Sequence, residues 1–536
     1  MEQLYYNGKV ITMSKRWDSR ERPVEAVLVR DGIIAAVGGI EELRQIAVKD
    51  CKETDLEGKC LMPAFIDAHS HIVMNGQMSL CADLTECTSF QDIINTLKSF
   101  LSRREADNAP LIGYGYDHNF LEEHRHPDRE VLDEVSMEIP VLILHVSGHL
   151  ACANSAAIRI AGITARTPDP KGGLIGRKLG GREPNGYLEE TAMMPIQKAA
   201  AGQMKLDPTA MLQGMQQIYI ENGITTVQDG ASTLQDISLL DQMDKGQQLQ
   251  VDVVSYPLLT AGGKSIREQF AHLSGKNNGH LKIGGYKLIL DGSPQGRSAW
   301  MSAPYLDGEE GYCGYPWLSD EEAQQHIKTA VEEGQQLLVH CNGDAASGQF
   351  LKLYEKILQE TGSKEDLRPV MIHCQTVRND QLDIMARLNM IASIFVGHVW
   401  YWGDIHMKNF GSSRGNHISP VRDALDRGVI VNFHQDTPVT KPNMLHTVWC
   451  AVNRISRNGA VRGEDQKISV YEALKAVTIN AAYEYFEEDS KGSIETGKRA
   501  DLVILAKSPL EVDPMEIRDI KVITTIKDGN VIYRRK

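Results

Sequence analysis

The 536-residue chain has no Cys-x-x-Cys pair, and its nine cysteines, an odd number, are scattered from Cys51 to Cys450. That usage excludes a disulfide framework and a zinc ribbon, and it predicts a reducing compartment. An excess of positive charge is also missing. With 57 Lys plus Arg against 71 Asp plus Glu, the net charge is −14, so neither nucleic acid nor an anionic membrane is an expected partner. No apolar run approaches bilayer length; the longest, such as Ile139 to Val146, are strand-sized. The first residues, Met1-Glu2-Gln3-Leu4-Tyr5-Tyr6-Asn7-Gly8-Lys9, lack the basic and apolar regions of a secretory signal. A cytoplasmic location is expected. Long repeats and low-complexity tracts are absent too. What is there is ordinary globular material, 42% hydrophobic and 24% charged, long enough for one large barrel and a second compact unit.

Both ends of the chain read as short strands and turns. At the N-terminus these are Leu4 to Met13, Ala26 to Val29, the turn Asp31-Gly32 and Ile33 to Val37. At the C-terminus they are Ala500 to Leu505, Ile520 to Ile526, the turn Asp528-Gly529 and Val531 to Tyr533. Each piece is too small to bury a core alone, so residues 1–60 and 488–536 are expected to complete one small β-sandwich together. Between them, over 61–487, buried strands alternate with helices, the signature of parallel α/β architecture. Eight strands are expected: Leu61 to Asp67, Thr225 to Gln228, Val251 to Leu258, Ile283 to Leu290, Leu337 to His340, Val370 to His373, Ile391 to Val396 and Val429 to Phe433. Eight closes a (β/α)8 TIM barrel. The spacer after the first strand is far too long for one crossover helix, so about 75–222 is expected to be a large insertion. It contains strand-like runs at Leu111 to Tyr116 and Val141 to Val146, and a Gly/Pro-rich stretch, Thr167 to Gly186, expected to form exposed hairpins or loops.

In a parallel barrel, function collects where the strands end. Phe65-Ile66-Asp67-Ala68-His69-Ser70-His71 delivers two histidines spaced two apart, and in an extended segment these point the same way and can reach one metal ion. Alone, such a pair is commonplace. It gains weight because four later strands also end in or beside metal-compatible residues: Lys287, His340, His373 and Asp436. Imidazole and carboxylate suit zinc, iron or manganese and offer too few oxygens for calcium. Lys287 is the odd member, since an ammonium inside Gly285-Tyr286-Lys287-Leu288-Ile289-Leu290 must be paired, neutral or modified. Cys341 and Cys374 follow their histidines directly, so strand alternation turns them into the packing. His118, His145, His398, His434 and the other histidines are not sorted by spacing, and surface or core placement is their default.

Pro63-Ala64-Phe65-Ile66-Asp67-Ala68-His69-Ser70-His71 and the late Gly492-Ser493-Ile494-Glu495-Thr496-Gly497-Lys498-Arg499-Ala500-Asp501 resemble the amidohydrolase superfamily at both ends of the chain. More narrowly, the chain resembles the amidohydrolase 3 branch. Gly115-Tyr116-Asp117-His118, Ser147 to Ser155, Lys287 to Ser293, His340-Cys341-Asn342-Gly343-Asp344 and Gln435-Asp436-Thr437-Pro438-Val439 carry that resemblance. It implies that His69 and His71 bind the more buried of two metals, that a carbamylated Lys287 bridges both, and that His340 and His373 hold the second. Two zinc ions are expected, with iron or manganese as substitutes. By the same resemblance Asp436 is ligand and proton shuttle. Two departures bear on substrate contacts. The family's Asp-Gly-Ser-Leu-Gly-Ser-Arg-Thr-Ala reads Asp291-Gly292-Ser293-Pro294-Gln295-Gly296-Arg297-Ser298-Ala299 here, and Leu150-Ala151-Cys152 replaces bulky residues after His149.

The expected reaction is cleavage of a non-peptide C–N bond, amide-type and N-acyl or N-formyl among the options, by a metal-bound hydroxide, with Asp436 moving the proton from water to the leaving nitrogen. His149 and Arg297 are expected as donors to substrate or developing oxyanion. Asp117 and Asn154 are further candidate substrate contacts. An esterase or phosphoesterase could use the same cage, and a metal-free binding or scaffold protein, or a regulatory protein binding a small molecule without turnover, keeps the fold without the chemistry. The expected partner is a small-molecule substrate, with the β-sandwich and outer helices offering surfaces for a homodimer.

Overall fold

The computed structural model describes residues 2–14, 24–103, 109–201, 208–275 and 279–536. The chain divides into two compact units: Met1–Ile72 with Gln216–Thr437 and Lys441–Lys536, and Val73–Met215 with Pro438–Thr440. In the first unit, alternating strands and helices build two parallel sheets. One has the order Leu281–Ile283, Asp252–Pro257, Ile224–Ser232, Phe65–Ile66; the other has Gly285–Ile289, Gln336–Cys341, Val370–His373, Ile391–Ile394, Ile430–Phe433. Every neighbouring pair is parallel, and spatial order follows chain order, the arrangement that successive crossovers of one hand produce. Gly284 divides the strand expected over 283–290 between the two sheets. A Cβ there would lie 2.5 Å from Tyr256 Cζ, so only glycine allows this approach.

The first expected strand is also two strands. Cys60–Pro63 pairs antiparallel with Leu502–Leu505 in a terminal sheet, and only Phe65–Ile66 pairs with Ile224–Ser232. Pro63 still pairs with Leu502 and the Ala64 N–H donates to Asp501 O at 2.9 Å, whereas the Phe65 N–H donates to Gly223 O at 2.9 Å, so the chain passes from one sheet to the next between Ala64 and Phe65. Ile66, Val254, Tyr256, Leu338, Val370, Ile372 and Ile391 bury one side of the parallel strands against Ala481, Ala482 and Tyr485.

The termini supply two more sheets, Ile33–Gly38, Ala26–Arg30, Glu2–Tyr6, Lys52–Asp55 and Lys9–Val10, Cys60–Pro63, Leu502–Leu505, Val522–Lys527, Asn530–Arg534. Residues from both ends of the chain, among them Tyr5, Val27, Leu61, Leu502 and Ile526, share one core. The C-terminal segment is tied to the parallel strands by charge. Fully buried Asp252 faces Lys491, Lys527 at 3.0 Å, Arg499 at 2.9 Å and His280 Nδ1 at 2.8 Å. Burial works to raise this carboxyl, but the surrounding cations, Lys491 foremost, hold it well below the usual carboxylate range. Asp252→Ala leaves Lys491, Lys527 and Arg499 only their remaining carboxylates, Glu487, Asp501 and Asp528, and is expected to destabilise the protein by about 3 kcal/mol, read as a lower urea midpoint. Because the folded-state pKa is depressed, the stabilisation is present above about pH 4 and is lost as pH falls through the folded value.

The second unit has a six-stranded sheet in the order Gly173–Arg177, Pro184–Glu190, Leu150–Ala153, Val141–His145, Leu111–Tyr116, Ala82–Asp83. The last three strands are parallel and the others antiparallel. Alternation gives the sheet two apolar faces: Val141, Ile143 and Cys152 pack with the helix Phe90–Ser102, while Leu142, Ala151 and Ala153 pack with Ser155–Ile160. The hairpin expected within Thr167 to Gly186 is the antiparallel pair Gly173–Arg177 and Pro184–Glu190. Among the described residues no helix is long and apolar enough to cross a membrane.

Candidate metal centre

His69, His71, Lys287, His340, His373 and Asp436 come together at or just past the C-terminal ends of parallel strands of the first unit. Asp436 is the hub. Its Oδ1 lies 3.3 Å from His69 Nε2 and 3.2 Å from His71 Nε2, and its Oδ2 lies 3.9 Å from His373 Nε2. Lys287 Nζ is 3.2 Å from His69 Nε2. The His340 and His373 rings are 4.4 Å apart, and those of His69 and His373 5.7 Å. Local backbone makes this possible. The His71 N–H donates to Thr437 O at 2.8 Å, which pins the His-x-His segment to the chain that carries Asp436.

His373 arrives by a route that alternation does not predict. Val370 and Ile372 face the core cluster, so a regular strand would send His373 to the opposite side. Positive φ values at His373 (77°) and Cys374 (49°) end the strand and re-aim the imidazole; Asp436 also has a positive φ, 55°. Each such non-glycine residue costs on the order of 1 kcal/mol, strain of the kind that gathers at functional sites. Cys341 and Cys374 are fully buried, and burial pushes both thiols up, away from ligand chemistry.

The site's electrostatics suit a cation other than a proton. Burial lowers the Lys287 amine to about 8. Burial, then the nearby Lys287, takes His69 well below the usual imidazole value, and burial with His340 does the same for His373. Both rings are therefore neutral at physiological pH and have a lone pair to offer. Burial works to raise Asp436, yet its hydrogen bond from His71 wins and holds the carboxyl well below the usual range. His373 Nδ1 is buried without a hydrogen-bond partner. Neutral imidazoles, an ionised carboxylate and a near-neutral amine in one buried cluster are a donor set for divalent zinc, iron or manganese.

Three residues beside this cluster were not singled out by the sequence reading. Gln228 Oε1 accepts from His69 Nδ1–H at 2.5 Å, which leaves Nε2 facing Lys287 and Asp436. Gln228 Nε2 in turn donates to Ala68 O at 2.7 Å and to Glu484 Oε1 at 3.3 Å. Asp291, fully buried, meets His340 Nδ1 at 3.1 Å and accepts from the N–H groups of Asn342 and Gly343 at 3.0 and 2.7 Å. His434 is also fully buried, its ring 5.1 Å from those of both His69 and His373. A polar residue at the end of an apolar strand, as at Gln228, was the available signal. Partners that fix a ligand's tautomer typically contribute 10–100-fold to metal affinity, so Gln228→Leu is expected to weaken metal binding by about that factor in a chelator competition.

The expected substrate contacts are not in this cluster's hydrogen-bond set. Arg297, in the first unit, has a positive φ of 61° and donates from Nη1 to Asp307 O at 2.7 Å. Asp117, His149 and Asn154 belong to the second unit. His149 Nδ1 pairs with Glu190 Oε2 at 2.9 Å. Asn154 caps the helix Ser155–Ile160: its Oδ1 accepts from Val141 N and Ala157 N, and its Nδ2 donates to Ser136 O and Ile139 O. That saturates the amide and leaves no valence for a substrate, so Asn154 is structural, contrary to expectation.

Known proteins resemble the chain along nearly its whole length. N-substituted formamide deformylase of Arthrobacter pascens is 29% identical, over 97% of this chain and 96% of its own. Protein LONG AFTER FAR-RED 3 of Arabidopsis thaliana is 27% identical, over 99% and 91%. Among solved structures, an uncharacterized metal-dependent hydrolase from Pyrococcus horikoshii OT3 superposes with a TM-score of 0.76 at 22% identity, covering 96% of this chain and 99% of that one. The family model of the Amidohydrolase family matches residues 52–533. With the match spanning the clustered histidines and most of the chain, the chain belongs to the amidohydrolase family and is a metal-dependent hydrolase of carbon–nitrogen bonds other than peptide bonds.

Proposed function

We propose that this enzyme hydrolyses an amide-type bond of a small molecule, an N-substituted formamide or related N-acyl compound, at a binuclear zinc site. The observation that carries this reading is the convergence of four histidines, Lys287 and Asp436 on one buried spot, with Asp436 Oδ1 within 3.3 Å of two imidazoles. His69 and His71 would hold one ion and His340 and His373 the other, with Lys287 between them and Asp436 completing the set. When bound, the metals supply Lewis acidity and water activation at neutral pH. The fold we infer to underlie this is a (β/α)8 barrel over 61–487 interrupted by its insertion, with residues 1–60 and 488–536 as a β-sandwich companion.

The chain's own residues do the rest. Lys287, lowered to about 8 by burial, has a neutral amine fraction that can add carbon dioxide: an N–C bond forms, one proton leaves, and an awkward buried cation becomes a carboxylate. Asp436, held ionised, accepts a proton from the attacking water and returns it to the leaving nitrogen, the point at which C–N cleavage is completed. Gln228 and Asp291 keep His69 and His340 in one tautomer through the cycle.

The test is a turnover screen of purified, zinc- and bicarbonate-reconstituted protein on N-substituted formamides, other N-acyl amines and matched esters. Release of amine from the formamides or N-acyl compounds, well above ester cleavage, is the expected result. Ester or phosphoester turnover without amine release would replace this reading.

A further inference from the structure

The strand ends of the second unit carry a separate constellation. Asp117 and His118 follow the strand Leu111–Tyr116, and His145 ends its parallel neighbour Val141–His145, paired in register with Tyr116. We propose that these three residues bind one divalent first-row transition-metal ion, zinc or iron(II) in class, through Asp117 Oδ1, His118 Nδ1 and His145 Nε2.

The triangle of donor atoms has the right size. His118 Nδ1 and His145 Nε2 are 3.2 Å apart, His145 Nε2 and Asp117 Oδ1 3.4 Å, and His118 Nδ1 and Asp117 Oδ1 3.8 Å. A point equidistant from all three lies about 2.0 Å from each, which is the bond length of zinc to imidazole nitrogen and carboxylate oxygen. Two imidazoles and one carboxylate select zinc or iron(II) over magnesium or calcium, which prefer all-oxygen cages. The surroundings hold each ligand in place. Asn119 donates to Asp117 Oδ1 from its N–H and its side chain, both at 2.9 Å. The His126 ring stacks on His118 at 3.9 Å, and its Nδ1 meets Tyr116 OH at 3.0 Å. Ser147 serves both tautomers of His145: its N–H donates to Nδ1 at 3.1 Å when the proton sits on Nε2, and its Oγ at 2.9 Å accepts from Nδ1–H when Nε2 is the ligand. His145 and Asp117 are buried while the His118 side chain is 21% exposed, so the fourth coordination position opens on that side to water or an anionic group.

Two measurements test the site with zinc alone as probe. In wild-type crystals grown with zinc chloride, anomalous difference maps across the zinc edge should show a peak bonded to all three atoms; a loaded cluster around Asp436 with no peak here would overturn the proposal. In equilibrium dialysis of chelator-treated protein at low-micromolar free zinc, the His118→Asn/His145→Asn double variant should bind one ion per chain fewer than wild type, and His126→Asn the same number as wild type. Equal zinc in double variant and wild type would leave any crystal peak an adventitious ion only and would also overturn it. The crystallographic arm needs no variant, so it decides even where the double variant does not fold.

Discussion

Lys287→Ala is expected to lower turnover by roughly 10⁴-fold or more and to release metal from the cluster around Asp436. On the proposed reading Lys287 lies between the two ions; without it metal is lost, and water that no metal activates is not a nucleophile at neutral pH. A structural role for Lys287 predicts the opposite balance of effects. In the metal-free, unmodified protein, its amine is held at about 8 by burial, against about 10.4 in an unfolded chain. The folded state binds this proton less well than the unfolded one. Stability is therefore expected to fall as pH drops from about 10.4 to about 8, by roughly 3 kcal/mol, and to stay at the lower level below that. Lys287→Met removes the buried amine and is expected to raise the melting temperature of the metal-free protein at neutral pH while remaining inactive. Loss of activity with gain of apo stability, read by turnover and calorimetry, is the mark of a residue kept for chemistry.

Asp436→Asn is the second large effect. The amide keeps the shape and one oxygen but cannot take up a proton, so kcat should fall about 10²–10⁴-fold with much of the metal retained. The pH profile separates this from a general weakening of the site. In wild type the carboxyl is held well below the usual range by His71, so the base is already ionised throughout mildly acidic and neutral conditions. The acid limb of kcat/KM assigned to Asp436 is expected below about pH 4, and it should vanish in the asparagine variant. An Asp436→Asn protein with wild-type kcat would remove this residue from proton transfer.

Much of the candidate site was legible because its candidate ligands lie in or just after strands of the two parallel sheets. His69 and His71 could be read from i, i+2 spacing, and Lys287 from the anomaly of an ammonium in an apolar strand. The order of strands followed from the alternating pattern. Other features depend on distances the sequence does not encode. What reads as one apolar strand changes hydrogen-bonding partner between Ala64 and Phe65 and so belongs to two sheets, and Gly284 divides another because Tyr256 packs against it. His373 reaches the cluster through a positive φ that strand periodicity cannot foresee. Gln228 and Asp291 matter through contacts with residues 159 and 49 positions away in the chain. Asn154 looked like a site residue because its motif is polar and local, yet its amide is spent on helix capping and backbone carbonyls. The pair His118 and His145 could not be distinguished from surface histidines until two strand ends were seen side by side.

The central claim is that C–N bond hydrolysis depends on metal held by the Asp436 cluster. The most direct measurement is the metal content and amine-releasing activity of wild-type and Lys287→Ala protein, each purified without chelator and again after chelation and reconstitution with zinc and bicarbonate. The account predicts that wild type carries about two more ions per chain than the variant, loses activity on chelation and regains it on reconstitution, while the variant stays inactive throughout. Equal metal content in the two proteins, or full activity in chelated wild type, would contradict it.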